Sequence, residues 1–243
     1  MEKKKYHFIF SINVHEKPDF LKKQINNINK FVDGKYLIII NANDIMYQIL
    51  NNDIFFKNNK KVIINPNHFN KKRHTGTLFK GIYSNMKYAI NNLNINFKYF
   101  IVLSSRNLFY NNLNINKIKF LPKNIVKKKS EINLNSWPHW NKIFKLNFSK
   151  YIIENNMNIS KSPHEGLVIN VKSCIYIINF LEKDIDKSTL KELYNCNVCI
   201  EEYVLQTIIS NFSYYYQIGN GTKTNNNITK LPNNKFIYKT IRN

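Results

Sequence analysis

The stretch His7-Phe8-Ile9-Phe10-Ser11-Ile12, followed by Asn13-Val14-His15-Glu16-Lys17-Pro18, then Leu21, Ile25, Ile28 and Val32 at helical spacing, then Asp33-Gly34 and Tyr36-Leu37-Ile38-Ile39-Ile40-Asn41, reads as strand, loop, helix, strand. Both apolar runs are continuous rather than alternating, and rich in aromatic and β-branched residues. That is the pattern of strands covered on both faces, as in a parallel sheet. Ser11–Lys17 reads as the polar loop between them and the helix. Pro18 suits a first helical turn, since its missing N–H has no partner to lose there. Asp33-Gly34 is a stop signal.

The same grammar continues outward. A short helix is expected near Asp44–Leu50, and Val62–Ile64 reads as a third strand closed by Asn65-Pro66. Thr75-Gly76-Thr77 opens a helix with Leu78, Ile82, Met86 and Ala89 on one face. Tyr99–Leu103 is a fourth strand, running into Ser104-Ser105-Arg106-Asn107. Residues 110–160 are Asn- and Lys-rich with weak periodicity and read as loop. Gly166–Val171 is a fifth strand, with a helix after it through Ile175, Ile178 and Leu181. Lys187–Tyr194 and Ile200–Asn211 are helices, the second with Val204, Leu205, Ile208 and Ile209 inward. Phe212–Ile218 and Lys235–Ile241 read as late strands or ordered tail. The expectation is one α/β domain over residues 1–243, a mixed, mostly parallel sheet flanked by helices. Ligands of such sheets sit beyond the carboxyl ends of the strands. Those ends here are Asn13–His15, Asn41–Asp44 and Ser104–Asn107.

Composition narrows the class. Of 243 residues, 43% are hydrophobic, with only 6 Gly and 6 Pro, so disordered and collagen-like classes are excluded. No apolar run is long enough for a membrane span, and the basic start leads into no signal-peptide pattern, so a cytoplasmic location is expected. The 37 Lys+Arg against 15 Asp+Glu give a net charge of +22, which attracts polyanions in general. Only three of these cations are Arg, and Asn, Lys, Ile, Phe and Tyr dominate. An AT-rich coding sequence would produce this skew, so the charge is partly compositional. The basic runs Lys3–Lys5, Lys71–Arg73 and Lys127–Lys129 are short and scattered, and no zinc-finger or aromatic RNA-binding signature is present. Cys196 and Cys199 form a C-x-x-C with one further Cys, Cys174, too few for a four-ligand zinc site without His, and read as reduced thiols. No glycine-rich dinucleotide fingerprint, P-loop or G-x-S-x-G elbow occurs.

Several segments in order resemble one family. Ser11-Ile12-Asn13-Val14-His15, Tyr36–Asn41, Tyr99–Ser105, Glu165-Gly166-Leu167-Val168-Ile169-Asn170, Glu201-Glu202-Tyr203-Val204-Leu205-Gln206-Thr207 and Phe236-Ile237-Tyr238-Lys239 are similar to segments of the core-2/I-branching β-1,6-N-acetylglucosaminyltransferases and related xylosyltransferases. The resemblance implies a GT-A-type, Rossmann-like fold. It also implies inverting transfer from a UDP-sugar donor to a glycan or glycoconjugate hydroxyl, with no metal and no other cofactor. It makes Glu202 the general base and Glu201 the neighbour of that base. Lys239 would hold the diphosphate with Arg242, Lys223 or Lys230, and Val14 and His15 would line the nucleotide pocket. Asn41 stands where the family has an Asp near the nucleobase, and Arg106 where it often has an acidic residue. Glu165, Trp137 and Trp140 are the candidates for acceptor contacts.

The chemistry asks for few parts. An alcohol is a poor nucleophile at neutral pH, so one carboxylate must take its proton. The departing diphosphate needs positive charge. The one Asp-x-Asp, Asp184-Ile185-Asp186, follows a helix in a charged stretch and reads as a solvated turn rather than a metal ligand pair. Glu201-Glu202 would also be favoured at a helix N-terminus by the macrodipole alone. Two other readings stay open: a basic protein bound to nucleic acid, without specific recognition signals, and an inactive glycan-binding relative.

Overall fold

The computed structural model describes residues 3–15, 17–72, 75–105, 107–113, 121–122, 132–161, 164–212, 215–216 and 238–240. Strand β1 (Lys4–Asn13) lies at the centre, paired in parallel with β2 (Tyr36–Asn41) on one side and β4 (Ile95–Ser104) on the other. Its middle residues, Phe8 to Ile12, are fully buried, including the polar Ser11. This is why the run is apolar on both faces: helices cover both sides of the sheet. The strand extends to Asn13, so the loop expected from Ser11 begins three residues later, at Val14.

β3 (Val62–Ile64) adds to β2 in parallel, and β7 (Val168–Asn170) adds to β4 antiparallel, giving the order β3-β2-β1-β4-β7. The fold is α/β with a mixed, mostly parallel five-stranded sheet, as in Rossmann-like folds. One layer packs Phe8, Phe10, Ile12, Ile38, Ile40 and Leu103 under α1 (Pro18–Phe31), α2 (Asp44–Asn52) and α3 (Ile54–Asn58). The opposite face packs Ile9, Ile39, Phe100 and Val102 under α4 (Thr77–Lys87) and later helices. Each such side chain contributes about 1.5–3 kcal/mol on burial.

Helix α1 begins with Pro18 at its first position and buries Leu21, Gln24, Ile25 and Ile28. Gly34 ends the connection at φ 102°, and a Cβ there would overlap the His7 imidazole, so glycine is required. Gln24 Nε2 donates to the carbonyls of Ser104 (2.7 Å) and Asn107 (2.9 Å), fixing the turn after β4. That turn leads to β5 (Asn107–Phe109), whose Phe109 backbone is clamped by the Asn27 side chain at 2.8 and 2.7 Å.

The stretch expected to be loop holds β6 (Leu121–Pro122), α5 (Trp140–Ile143) and α6 (Asn147–Glu154). Their apolar spacing, Trp140 and Ile143, then Phe148 and Ile152, is helical but diluted by Asn and Lys. After β7 come α7 (Val171–Asn179), α8 (Lys187–Asn195) and α9 (Val204–Phe212). On α7 the inward face is Cys174, Ile177 and Ile178, while Ile175 is 44% exposed, a rotation from the expected stripe. On α4 it is Phe79, not Leu78, that joins Ile82 and Met86 in the core. The helix expected from Ile200 starts with a 3₁₀ turn, Ile200–Glu202. β8 (Tyr215–Tyr216) pairs with β6, and β9 (Tyr238–Thr240) with β5. No helix among the described residues is long and apolar enough to cross a membrane.

Candidate functional site at the carboxyl edge of the sheet

Strands β1, β2 and β4 end on one edge at Asn13, Asn41 and Ser104, which pair in register. The chain leaves β1 toward β2 on one side and reaches β4 on the other, so the switch point of the topology lies between β1 and β4. Because β7 runs antiparallel to β4, its beginning lies at the same edge. Gly166 N–H donates to the Val102 carbonyl at 2.7 Å, and Val102 N–H to Leu167 at 2.9 Å. Glu165, one residue earlier, is thereby set at the carboxyl end of β4.

The 3₁₀ turn Ile200–Glu202 brings two more carboxylates to Glu165. Its flanks are anchored: Ile200 and Tyr203 are fully buried. The Tyr203 hydroxyl accepts from Ser149 Oγ at 3.2 Å, and its ring meets the Trp140 and Phe148 rings edge-on at 5.9 and 5.7 Å. Glu201 points inward, 2% exposed, with Oε2 buried and lacking a hydrogen-bond partner among the described residues. Burial pushes its carboxyl up to about 8, with the charges of Glu202 and Glu165 adding; its own backbone N–H and the Cys199 thiol oppose. Glu201 is therefore predominantly protonated at neutral pH. Glu202 is half-buried, and burial raises its carboxyl too, but Lys161 opposes that rise while Glu165 adds to it. Of the adjacent pair, Glu202 is the one with a cation to favour its ionised form. Lys161 Nζ also lies 4.6 Å from the Trp137 ring centroid.

The expected acceptor residues thus converge in part. Glu165, Glu201 and Glu202 interact electrostatically, and Trp137 joins them through Lys161. Trp140 is 4% exposed, stacked on Phe144 at 5.2 Å and set against Trp137 at 5.0 Å, so it acts as a wall behind Tyr203. Toward β1 and β2, Val14 is buried, with its N–H on the Asn41 carbonyl at 2.9 Å, while His15 is exposed. Asn41 is fully buried. Its Nδ2 donates to the Asn67 carbonyl at 3.0 Å, and its Oδ1 has no partner among the described residues. Lys239 lies on β9, its backbone in register with Leu108 beyond the end of β4. Its side chain, and Arg106, Arg242, Lys223 and Lys230, lie outside the described residues.

Asp186 is exposed and caps α8, accepting from Ser188 and Thr189 N–H at 2.9 Å each. Of the Asp-x-Asp spelling, Asp186 is thus a helix cap and Asp184 an exposed residue at the end of the preceding helix. No His, Cys, Asp and Glu group of three or more among the described residues is placed to hold a metal ion. Two open hollows, one lined by Lys142, Glu192 and Cys196, the other by Ile54, Phe55 and Lys61, include none of the three carboxylates. Lys161 carries no signal of its own in the sequence. It sits four residues before Glu165, but no spacing rule singles out a lysine in so lysine-rich a chain. No protein-family model matches the chain, and no curated protein matches its sequence.

Proposed function

We propose that the chain is an inverting glycosyltransferase of GT-A type, akin to the core-2/I-branching family, which uses Glu202 to deprotonate an acceptor hydroxyl during transfer from a UDP-sugar. The observation that carries this reading is the half-buried Glu202 carboxylate between Lys161 and Glu165, the latter set at the carboxyl end of β4. In an in-line displacement the hydroxyl oxygen bonds the anomeric carbon as the bond to the diphosphate breaks, and the hydroxyl proton passes to Glu202. A carboxylate raised by burial is a better base than a solvated one. Protonated Glu201 leaves one charge, not two, in the adjacent pair, and so keeps Glu202 ionised. Positive charge for the leaving diphosphate comes, on this reading, from lysine and arginine side chains rather than a metal. UDP-sugars with different sugars, screened by thermal shift and then by transfer to glycan acceptors, test the proposal. A donor that raises Tm and is consumed with inversion supports it; no stabilisation by any UDP-sugar overturns it.

A further inference from the structure

Helix α3 carries an apolar side chain that the core does not use. Ile54 is 74% exposed, the highest value for a large apolar residue among those described. The inward place on α3 is taken by Phe56. Helix α2, joined to α3 through Asp53, buries Leu50 and leaves Ile45 and Ile49 exposed, one turn apart. Ile54 borders an open hollow of about 550 Å³, shared with half-buried Phe55 and with Asn29, Lys60 and Lys61. Its lining includes both lysines and no carboxylate. Lys57, a turn on from Ile54, is exposed as well. The nearest acid in sequence, Asp53, is taken up by Lys22 Nζ at 2.6 Å. Lys57, Lys60 and Lys61 make no ion pair among the described residues. Lys61 is nonetheless fixed in place. Its Nζ donates to the Tyr36 hydroxyl at 3.2 Å and to Asn29 Oδ1 at 3.4 Å, and lies 4.5 Å from the Tyr36 ring centroid.

Abundant lysine in the composition explains the cations and not the isoleucine set among them. A soluble polyanion would use the lysines alone and leave Ile54 in water. A second copy of this chain, meeting through the same face, would set lysine against lysine. An anionic lipid surface satisfies both groups, because its phosphates lie at the depth of the ammonium groups and its acyl boundary lies directly beneath. We propose that this face docks on an anionic lipid surface, Ile54 entering the acyl boundary and Lys57, Lys60 and Lys61 meeting headgroup phosphates. Lysine stems are long enough to hold their charge at the phosphates while the isoleucine goes deeper. Lys60 and Lys61 lead into β3 and Tyr36 begins β2, so the hollow lies at the amino edge of the sheet. The carboxyl edge, where Glu165 is set, is at the opposite end of the strands, and the docking holds whatever chemistry that edge performs.

The test is co-sedimentation of the full chain, at physiological ionic strength, with vesicles of phosphatidylcholine alone and of equal parts phosphatidylcholine and phosphatidylserine. Two variants alter the face: Ile54→Ser, and the triple change Lys57→Gln, Lys60→Gln and Lys61→Gln. Two controls make the same changes in the opposite layer: Ile175→Ser, at a residue 44% exposed on α7, and Lys172→Gln, Lys183→Gln and Lys187→Gln together, all exposed. Wild type is expected to sediment with the mixed vesicles and not with phosphatidylcholine alone. Ile54→Ser and the face triple should each bind at least about tenfold more weakly, and both controls like wild type. Ile54→Trp keeps an apolar side chain there, and its added emission should shift to the blue when mixed vesicles are present. That readout decides the matter should Ile54→Ser fail to fold. No sedimentation of wild type, equal losses in the face and control variants, or an unshifted emission overturns the proposal. So does tighter binding to an RNA oligomer that ignores Ile54→Ser, which would give the lysines to nucleic acid. A dimer in solution that Ile54→Ser dissolves would give the face to a second copy and overturn it too.

Discussion

Glu201 and Glu202 are neighbours in sequence with unequal burial, and on the proposed reading that difference separates a base from its neighbour. Glu202→Gln keeps shape and hydrogen-bonding reach but removes basicity, so transfer should fall by about 10²–10⁴ with UDP-sugar binding and Tm unchanged. Glu201→Gln should cost less. A wild-type transfer rate in Glu202→Gln, or a greater loss in Glu201→Gln, would move the base. Glu201 also makes a stability prediction. Between its ordinary 4.5 and its folded value near 8, the folded chain holds a proton that the unfolded chain releases. Wild type should therefore lose stability as pH rises through that window and level off above it. His164, brought down to about 4 by burial, acts in the opposite sense, losing stability as pH falls below its ordinary 6.5, and does so equally in wild type and variant. Urea midpoints at pH 5 and pH 8 should show Glu201→Gln gaining on wild type at the higher pH. An unchanged gap would mean that Glu201 is ionised in the fold.

Helix α4 shows what a sequence carries and what it omits. Its start at Thr75-Gly76-Thr77 was legible from turn chemistry, and its length from the spacing of Ile82 and Met86. What spacing could not show is the reason for Gly76: its N–H donates to the Cys196 carbonyl at 2.9 Å, and a Cβ would overlap the Leu193 carbonyl oxygen. That contact spans well over a hundred residues of chain and belongs to no local pattern. Because backbone is the obstacle, Gly76→Ala should destabilise the fold by about 1–3 kcal/mol, read from the denaturant midpoint. A neutral effect would mean that α8 shifts freely. The same limit explains the site. Strand ends are legible where the apolar runs stop, which sets Asn13, Asn41 and Ser104 at the sheet edge. The antiparallel entry of β7, which delivers Glu165, and the anchoring of Ile200 and Tyr203, which separates Glu201 from Glu202, depend on tertiary packing. The helices around Trp140 and Phe148 were missed because Asn and Lys dilute their periodicity.

For the whole molecule, the charge of +22 and the position of Asp184-Ile185-Asp186 bear on the same question. With Asp186 of that pair spent on a helix cap and lysines abundant, transfer should proceed in the presence of EDTA at the untreated rate; loss restored by manganese would assign the leaving group to a metal instead. The same charge makes weak, salt-sensitive binding to any polyanion expected, so donor affinity should be compared at fixed ionic strength. The outermost strands of the sheet, β3 and β7, are three residues each. Lys60 and Lys61 precede β3, and Asn65-Pro66 follows it; β7 turns at once into α7, with the Asn170 side chain accepting from Ser173 N–H at 2.9 Å. Phe8–Ile12 and Tyr36–Ile40, laid open, would be ready templates for cross-β stacking. The short margins, the β3 one preceded by two lysines, deny an incoming chain the length of ladder it needs to add on, so this apolar centre is guarded against self-assembly by the brevity of its own borders.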